Sequence, residues 1–207
     1  IAADATGTNT FTWRDRIVDP RALPQRLTLA AAFETHAGID LLATIGPNGP
    51  DRAALAQQLR DHGFRFAEDE TWGDLFTRVL VERVEPAIGN GAATILMNYP
   101  TALAALARPD AREPRVAQRF ELYACGIELA NAFGELTDPH VQRQNLTAEM
   151  DERQRLYGER YPIDDDFIAA LAHMPQASGA ALGFDRLVML ATGATHIEQV
   201  LWTPLAP

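Results

Sequence analysis

Apolar positions along the chain recur with two periods, and glycine and proline punctuate them into short elements. Thr71–Val84 is the clearest case. Trp72, Leu75, Phe76, Val79 and Leu80 fall at i, i+3, i+4, i+7 and i+8, the stripe of an amphipathic helix that belongs in the core. Thr71 is suited to cap its start, Asp74 three residues on completes a capping box, and Pro86 and Gly89 end it. Leu27–His36 reads as an Ala-rich helix stopped by Gly38. A Gly/Pro turn at Gly46–Pro50 then leads into a helix over Asp51–His62 that Gly63 closes. Thr10–Val18 alternates through Phe11 and Trp13 and predicts one strand. The aliphatic run Thr94–Met97, ahead of Asn98-Tyr99-Pro100, predicts a buried one.

The second half changes character. Arg119–Ala124 and Ile127–Leu136 predict two strands meeting at Gly126 as a hairpin. Asp138–Tyr157 is a long polar helix with Pro139 in its first turn, and Asp164–His173 a short one with an acidic start. Ser178–Gly183 is a small-residue strand running into a helix over Phe184–Thr192 that Gly193 ends. Helices are inserted between strands without βαβ alternation, which argues an α+β fold with an antiparallel sheet flanked by helices.

Length and composition narrow the function. At 207 residues, with 47% hydrophobic and 22% charged positions, the chain is an ordinary globular one of about one domain. No apolar run approaches the ~20 residues of a membrane span and no signal peptide is visible, so a cytoplasmic protein with no membrane partner is expected. The chain opens at Ile1 without an initiator, which predicts a processed protein or a fragment. All 18 basic residues are arginine. A P-loop lysine and a Schiff-base lysine are therefore excluded within the chain, and phosphate must be handled by arginine, backbone amides or a metal. A net charge of −10 argues against a broad grip on nucleic acid. His36, His62, His140, His173 and His196 lack a common ligand spacing, so no zinc site is expected. Cys125, the one cysteine, reads as a small buried hydrophobe, and Asp164–Asp166 as a solvated helix start.

Two segments carry candidate chemistry. In Gly126–Asp138, strict alternation puts Asn131 and Glu135 on one strand face and Glu128 on the other. The three converge only if the strand is bulged or strongly twisted between 128 and 131. Converged, they make a hard-cation site suited to Mg²⁺ with a phosphate-bearing substrate; otherwise Glu128 lies on the solvent face of an edge strand, which spacing alone favours. In Ser178–Leu190, small residues before Leu182-Gly183 leave the backbone open to a flat ligand. Arg186 in the first turn of the next helix is either a phosphate partner or half of a surface pair with Asp185 acting as N-cap.

Together these segments closely resemble the C-terminal half of a class II aminoacyl-tRNA synthetase catalytic domain of the lysyl type. The resemblance covers about Thr94 to Leu201, through the strand ending in Asn98-Tyr99-Pro100, the GIELANAFGELTD stretch at 126–138 and the motif 3 strand–helix GAALGFDRLVML. It divides the chain into residues 1–93, an N-terminal strand and helical insertion, and residues 94–207, the C-terminal half of the core. Ile127-Glu128-Leu129 and Ala181, where tRNA-charging enzymes carry glycine, are most similar to the short paralogues that modify elongation factor P.

The resemblance implies ATP and Mg²⁺ as cofactors. Glu128 and Leu129 would lie beside ATP with the Glu128 carboxylate on the metal, and Asn131 and Glu135 would face the amino acid, Glu135 also near the metal. Gly183 would admit the adenine and Arg186 would grip the γ-phosphate, making Arg186 and Glu128 the catalytic pair. Ala181 would form the pocket wall. Ala132 stands where the family usually has glycine, a methyl beside the substrate face, and Asn98 where aspartate is common. Motifs 1 and 2 are not found, so the parent is expected to be a longer, homodimeric ligase and this chain inactive alone. The implied reaction activates lysine or β-lysine as an adenylate and transfers it to a lysine of elongation factor P. The alternatives are a fragment of a lysyl-tRNA synthetase charging tRNA, or a non-catalytic paralogue that serves as a binding module.

Overall fold

The computed structural model describes residues 2–203. Two compact units are distinguished: one takes the chain up to residue 97 with 120–131 and 181 onward, the other 98–119 and 132–180.

The first unit opens with α1 (Ala2–Thr6), β1 (Phe11–Trp13) and β2 (Arg16–Val18). The single strand expected over Thr10–Val18 is thus a hairpin, registered Phe11↔Val18, Thr12↔Ile17 and Trp13↔Arg16. Its turn passes through Arg14 at φ 56°, a left-handed conformation that no glycine or asparagine announces. Next come β3 (Gln25–Thr28) and α2 (Leu29–Ala37). The helix starts two residues later than the apolar run suggests, because Thr28 ends the strand and caps the helix, its hydroxyl accepting from the Ala31 N–H at 3.2 Å. Gly38 closes it at φ 71°. The expected Gly/Pro turn is drawn in by β4 (Ile45–Gly46) and β5 (Gly49–Pro50), and α3 (Arg52–Asp61) follows, capped by Asp51.

α4 (Trp72–Val79) carries the predicted capping box: Thr71 accepts from the Asp74 N–H, and the Asp74 carboxylate accepts from the Thr71 N–H at 2.8 Å. Such a cap contributes about 1 kcal/mol. Beyond Val79 the predicted helix does not continue as α; Leu80–Val84 winds as a π-helical turn. Phe76 stacks on Phe33 at 5.0 Å and on Trp72 at 5.5 Å, and the Trp72 indole N–H donates to the buried Thr44 hydroxyl.

β6 (Thr94–Met97) pairs with β3 in parallel, Gln25↔Thr94 to Thr28↔Met97, and with β7 (Arg119–Ala124) antiparallel, Thr94↔Tyr123 to Met97↔Phe120. The expected antiparallel sheet therefore has one parallel pair at its edge, made by a strand the sequence reading absorbed into a helix. β7 and β8 (Ile127–Gly134) meet at Cys125 and Gly126, both left-handed at φ 53° and 70°, the backbone of a type I′ turn. Cys125 is buried, which pushes its thiol pKa up, and it packs with Phe11, Val18, Ala124, Leu129 and Leu190.

The second unit holds α5 (Pro139–Tyr157), whose N–H groups at His140 and Val141 are capped by Asp138, and α6 (Asp165–Leu171), capped by Asp164. α6 stops two residues short of the expected His173, and Arg143 of α5 pairs with Asp165. Ala104, Ala107, Ala117 and Phe133 form its small core, with the Arg119 guanidinium over the rings of Tyr99 at 4.4 Å and Phe133 at 5.7 Å. β9 (Ser178–Leu182) and α7 (Phe184–Thr192) complete the chain, Gly193 ending the helix at φ 72°. The sheet order is β3-β6-β7-β8-β9, with β8 and β9 carrying the chain between units. No helix among the described residues is long and apolar enough to cross a membrane.

Candidate functional site

The site begins with an irregularity in β8. Leu129 and Ala132 are both buried, 5% and 3% exposed, although regular alternation would put residues three apart on opposite faces. Both faces of the strand are therefore covered along this stretch. Glu128 and Asn131, which strict alternation opposes, are both half-buried. Ala132 itself is interior, so its methyl group is packed rather than turned to a ligand.

The corner between β9 and α7 is fixed to this stretch by backbone bonds. The Gly183 N–H donates to the Leu129 carbonyl at 2.8 Å, and Arg186 Nη1 donates to the Glu128 carbonyl at 2.8 Å and to its carboxylate at 3.3 Å. A Cβ at Gly183 would lie 3.3 Å from Arg186 Cδ and 3.5 Å from the Leu129 carbonyl oxygen, so glycine keeps this corner tight. The surface-pair reading of Arg186 with Asp185 does not hold. The cap position is Gly183, no side chain caps α7, and Arg186 pairs with Glu128. Arg186 Nε and Nη2 have no partner among the described residues, and the side chain is 46% exposed, leaving a fork of donors open to an anion. Ala181 is exposed on β9.

Two acids near Glu128 escaped the sequence reading. Glu121 on β7 is buried, with the Tyr123 hydroxyl donating to it at 2.7 Å, and Glu85 lies 3.3 Å from the same hydroxyl. The available signal was a carboxylate inside the apolar strand Phe120–Ala124. Burial raises the Glu85 pKa above its usual 4.5, the Tyr123 hydroxyl opposes this, and the charges of Glu121 and Glu128 add to the rise. A carboxyl whose folded pKa is raised loses stability as pH climbs from its unfolded pKa through the folded one. Glu85→Gln is therefore expected to raise Tm at pH 7 and to leave it unchanged at pH 3.5; thermal melts at the two values, without divalent cation, check this. Equal shifts at both would remove the electrostatic explanation.

In the second unit, Glu135 is half-buried, and its N–H donates to the Ala177 carbonyl at 3.0 Å. Its Oε1 would lie 2.4 Å from a Cβ at Gly179, so the carboxylate rests on space that only glycine leaves. Asn98 adopts φ 64°, where asparagine is tolerated well. Among the described residues no three His, Cys, Asp or Glu side chains are grouped to hold a metal.

Residues 25–206 match the family described as tRNA synthetases class II (D, K and N). The chain is 40% identical over 170 residues to the elongation factor P–(R)-β-lysine ligase of Haemophilus ducreyi, 82% of this chain and 50% of that protein. It is 36% identical over 178 residues to the protein of the same name in Haemophilus influenzae, 86% and 53% of the two chains. With the lysine–tRNA ligase of Pelotomaculum thermopropionicum it shares 32% over 206 residues, 99% of this chain and 40% of that one. The chain thus spans about half the length of the first group and two-fifths of the second. With the family match running over most of its length and a mostly antiparallel five-stranded sheet flanked by helices, the chain belongs to the class II tRNA synthetases of the D, K and N type.

Proposed function

We propose that this chain carries the ATP- and amino-acid-binding part of a cytoplasmic ligase that activates a lysine-type amino acid and transfers it to a lysine of elongation factor P. The observation that carries the reading is the Arg186–Glu128 corner: an arginine fork with open donors at the first turn of α7, tied to a carboxylate on β8. Arg186 binds the γ-phosphate and orients the nucleotide. Leu129 and Gly183 offer backbone against which the adenine lies flat. Glu128 offers its carboxylate to Mg²⁺, as Glu135 does in the resemblance. When bound, the metal spreads the negative charge of the phosphates. Asn131 and Ala181 contact the amino acid, and the resemblance assigns Glu135 to the same substrate, whose ammonium groups suit its carboxylate. The substrate carboxylate attacks the α-phosphorus, pyrophosphate leaves, and the acceptor amine then displaces AMP from the adenylate.

The higher identity to the elongation factor P ligases supports the protein acceptor. Alignment over nearly the whole chain supports a second reading, a lysine–tRNA ligase. The retained Glu128, Glu135 and Arg186 argue against a non-catalytic binding module. The test incubates the full-length protein with ATP, Mg²⁺ and labelled lysine or (R)-β-lysine, offering elongation factor P or lysine tRNA. Label on the protein is the expected result; label on tRNA alone would select the second reading, and no adenylate at all would sink both. The 207 residues by themselves are expected to give no ATP–pyrophosphate exchange.

A further inference from the structure

Behind the strand segment that ends in Glu135 lies a polar arrangement that neither the core nor the proposed ligand contacts account for. The Arg108 N–H donates to the Gly134 carbonyl at 2.7 Å, the Gly134 N–H to the Gln118 carbonyl at 2.7 Å, and the Gln118 N–H to the Arg108 carbonyl at 2.8 Å. The side chains close the same triangle. Arg108 Nε and Nη2 both donate to Gln118 Oε1, at 3.1 and 2.9 Å. Gly134 is not left-handed, so its backbone does not require glycine; the neighbours do. A Cβ there would meet Gln118 Oε1 at 2.5 Å, Gln118 Cβ at 3.0 Å and Arg108 Nη2 at 3.2 Å. The fork therefore lies directly over Gly134.

Alternation turns the side chains of Phe133 and Glu135 to the face opposite the one that Gly134 presents to the fork. Arg108 Nη1 is shut off from solvent without a hydrogen-bond partner among the described residues, a penalty that a residue serving only to fill space would not carry. We infer that Arg108 and Gln118 are positioning residues: a rear clamp on Gly134 that fixes the height and direction of Glu135, and through it the binding of the substrate's ammonium group. This rests on the proposed role of Glu135. The clamp acts through geometry alone, since neither side chain shares a face with the carboxylate.

The test has two readouts. Amide hydrogen exchange at Gly134 and Glu135 reads the clamp without any substrate. Arg108→Ala and Gln118→Leu are expected to speed it about tenfold or more, while Gln118→Glu, whose carboxylate matches the guanidinium fork, restores slow exchange. ATP–pyrophosphate exchange in the full-length protein reads the consequence. The same two variants should raise KM for the amino acid about tenfold with KM for ATP unchanged, and Gln118→Glu should return it to within about twofold. Gly134→Ala, which pushes on the clamp from the strand side, should behave like Arg108→Ala. Unchanged amide exchange in folded Arg108→Ala and Gln118→Leu would overturn the clamp. Faster exchange with an unmoved amino-acid KM would overturn its role in positioning Glu135. If Glu135→Gln also leaves that KM unmoved, the failure belongs to the reading of Glu135, and the clamp remains as read by amide exchange.

Discussion

Glu128→Gln in the full-length protein is expected to reduce ATP–pyrophosphate exchange by about 10²–10³-fold, the range found when one electrostatic group aimed at developing charge is removed. The substitution keeps the shape of the side chain and an oxygen that still accepts from Arg186 Nη1, while deleting the charge offered to the metal. Arg186 also keeps its 2.8 Å bond to the Glu128 backbone carbonyl, which the change does not touch. The fold should survive. The side chains of Glu128 and Arg186 are 36% and 46% exposed, and such a pair contributes at most about 1 kcal/mol. Arg186→Lys separates charge from geometry: it retains a cation and loses the planar fork, so it should fall short of the parent even at saturating ATP. Asp185→Asn is the control, an exposed neighbour that neither caps α7 nor pairs with Arg186. Normal exchange by Glu128→Gln would return Glu128 to the plain surface of a strand.

Spacing alone favours that surface reading, and the contact of Arg186 with Glu128 is a tertiary one that no spacing rule carries. Alternation assumes an unbroken strand. Leu129 and Ala132, three apart, are nevertheless both buried, and nothing in Glu-Leu-Ala-Asn-Ala announces that both faces are covered there. The family resemblance singles out Glu128 where periodicity does not. Glu85 and Glu121 were missed for a related reason. Their significance depends on Tyr123 and on the packing of separate elements, and neither carries a spacing rule.

Elements with local causes were legible. The α4 cap needs only Thr71 and Asp74, three residues apart, and the helix ends at Gly38 and Gly193 need only a residue that accepts a left-handed backbone. The tight turn at Cys125-Gly126 announced itself through one of its two residues. What was lost depended on distant partners. β3 is four residues with little apolar content, and it becomes a strand because β6, far along the chain, offers it a parallel edge. The β1–β2 hairpin turns at Arg14-Asp15, with the left-handed position taken by arginine rather than glycine or asparagine, because Phe11 and Val18 are drawn into a core completed by Leu129 and Leu190. In both cases tertiary packing overrides local preference.

Ala181→Gly is expected to relax discrimination between (R)-β-lysine and lysine by about 10–200-fold in the ratio of kcat/KM, the span typical of one methyl in a fitted pocket. The two substrates differ in where the amino group and the extra methylene sit relative to the carboxylate, so a methyl group on the wall near the backbone of the amino acid acts on that difference. Ala181 is two residues before Gly183 and, by alternation, on its face. Gly183 in turn is bonded to Leu129 and packed against Arg186, so a wall bearing this methyl would not be free to retreat when a substrate presses on it. Removing the methyl should open room and improve use of lysine more than it harms (R)-β-lysine. Ala181→Ser, nearly the same size, should keep most of the parent's preference, which separates volume from a general loosening of β9. Both substrates are measured in pyrophosphate exchange at saturating ATP, where a change in nucleotide binding does not enter. A ratio unmoved by Ala181→Gly would take Ala181 out of the pocket wall. The protein acceptor would then rest on Ile127-Glu128-Leu129 and on overall identity to the elongation factor P ligases.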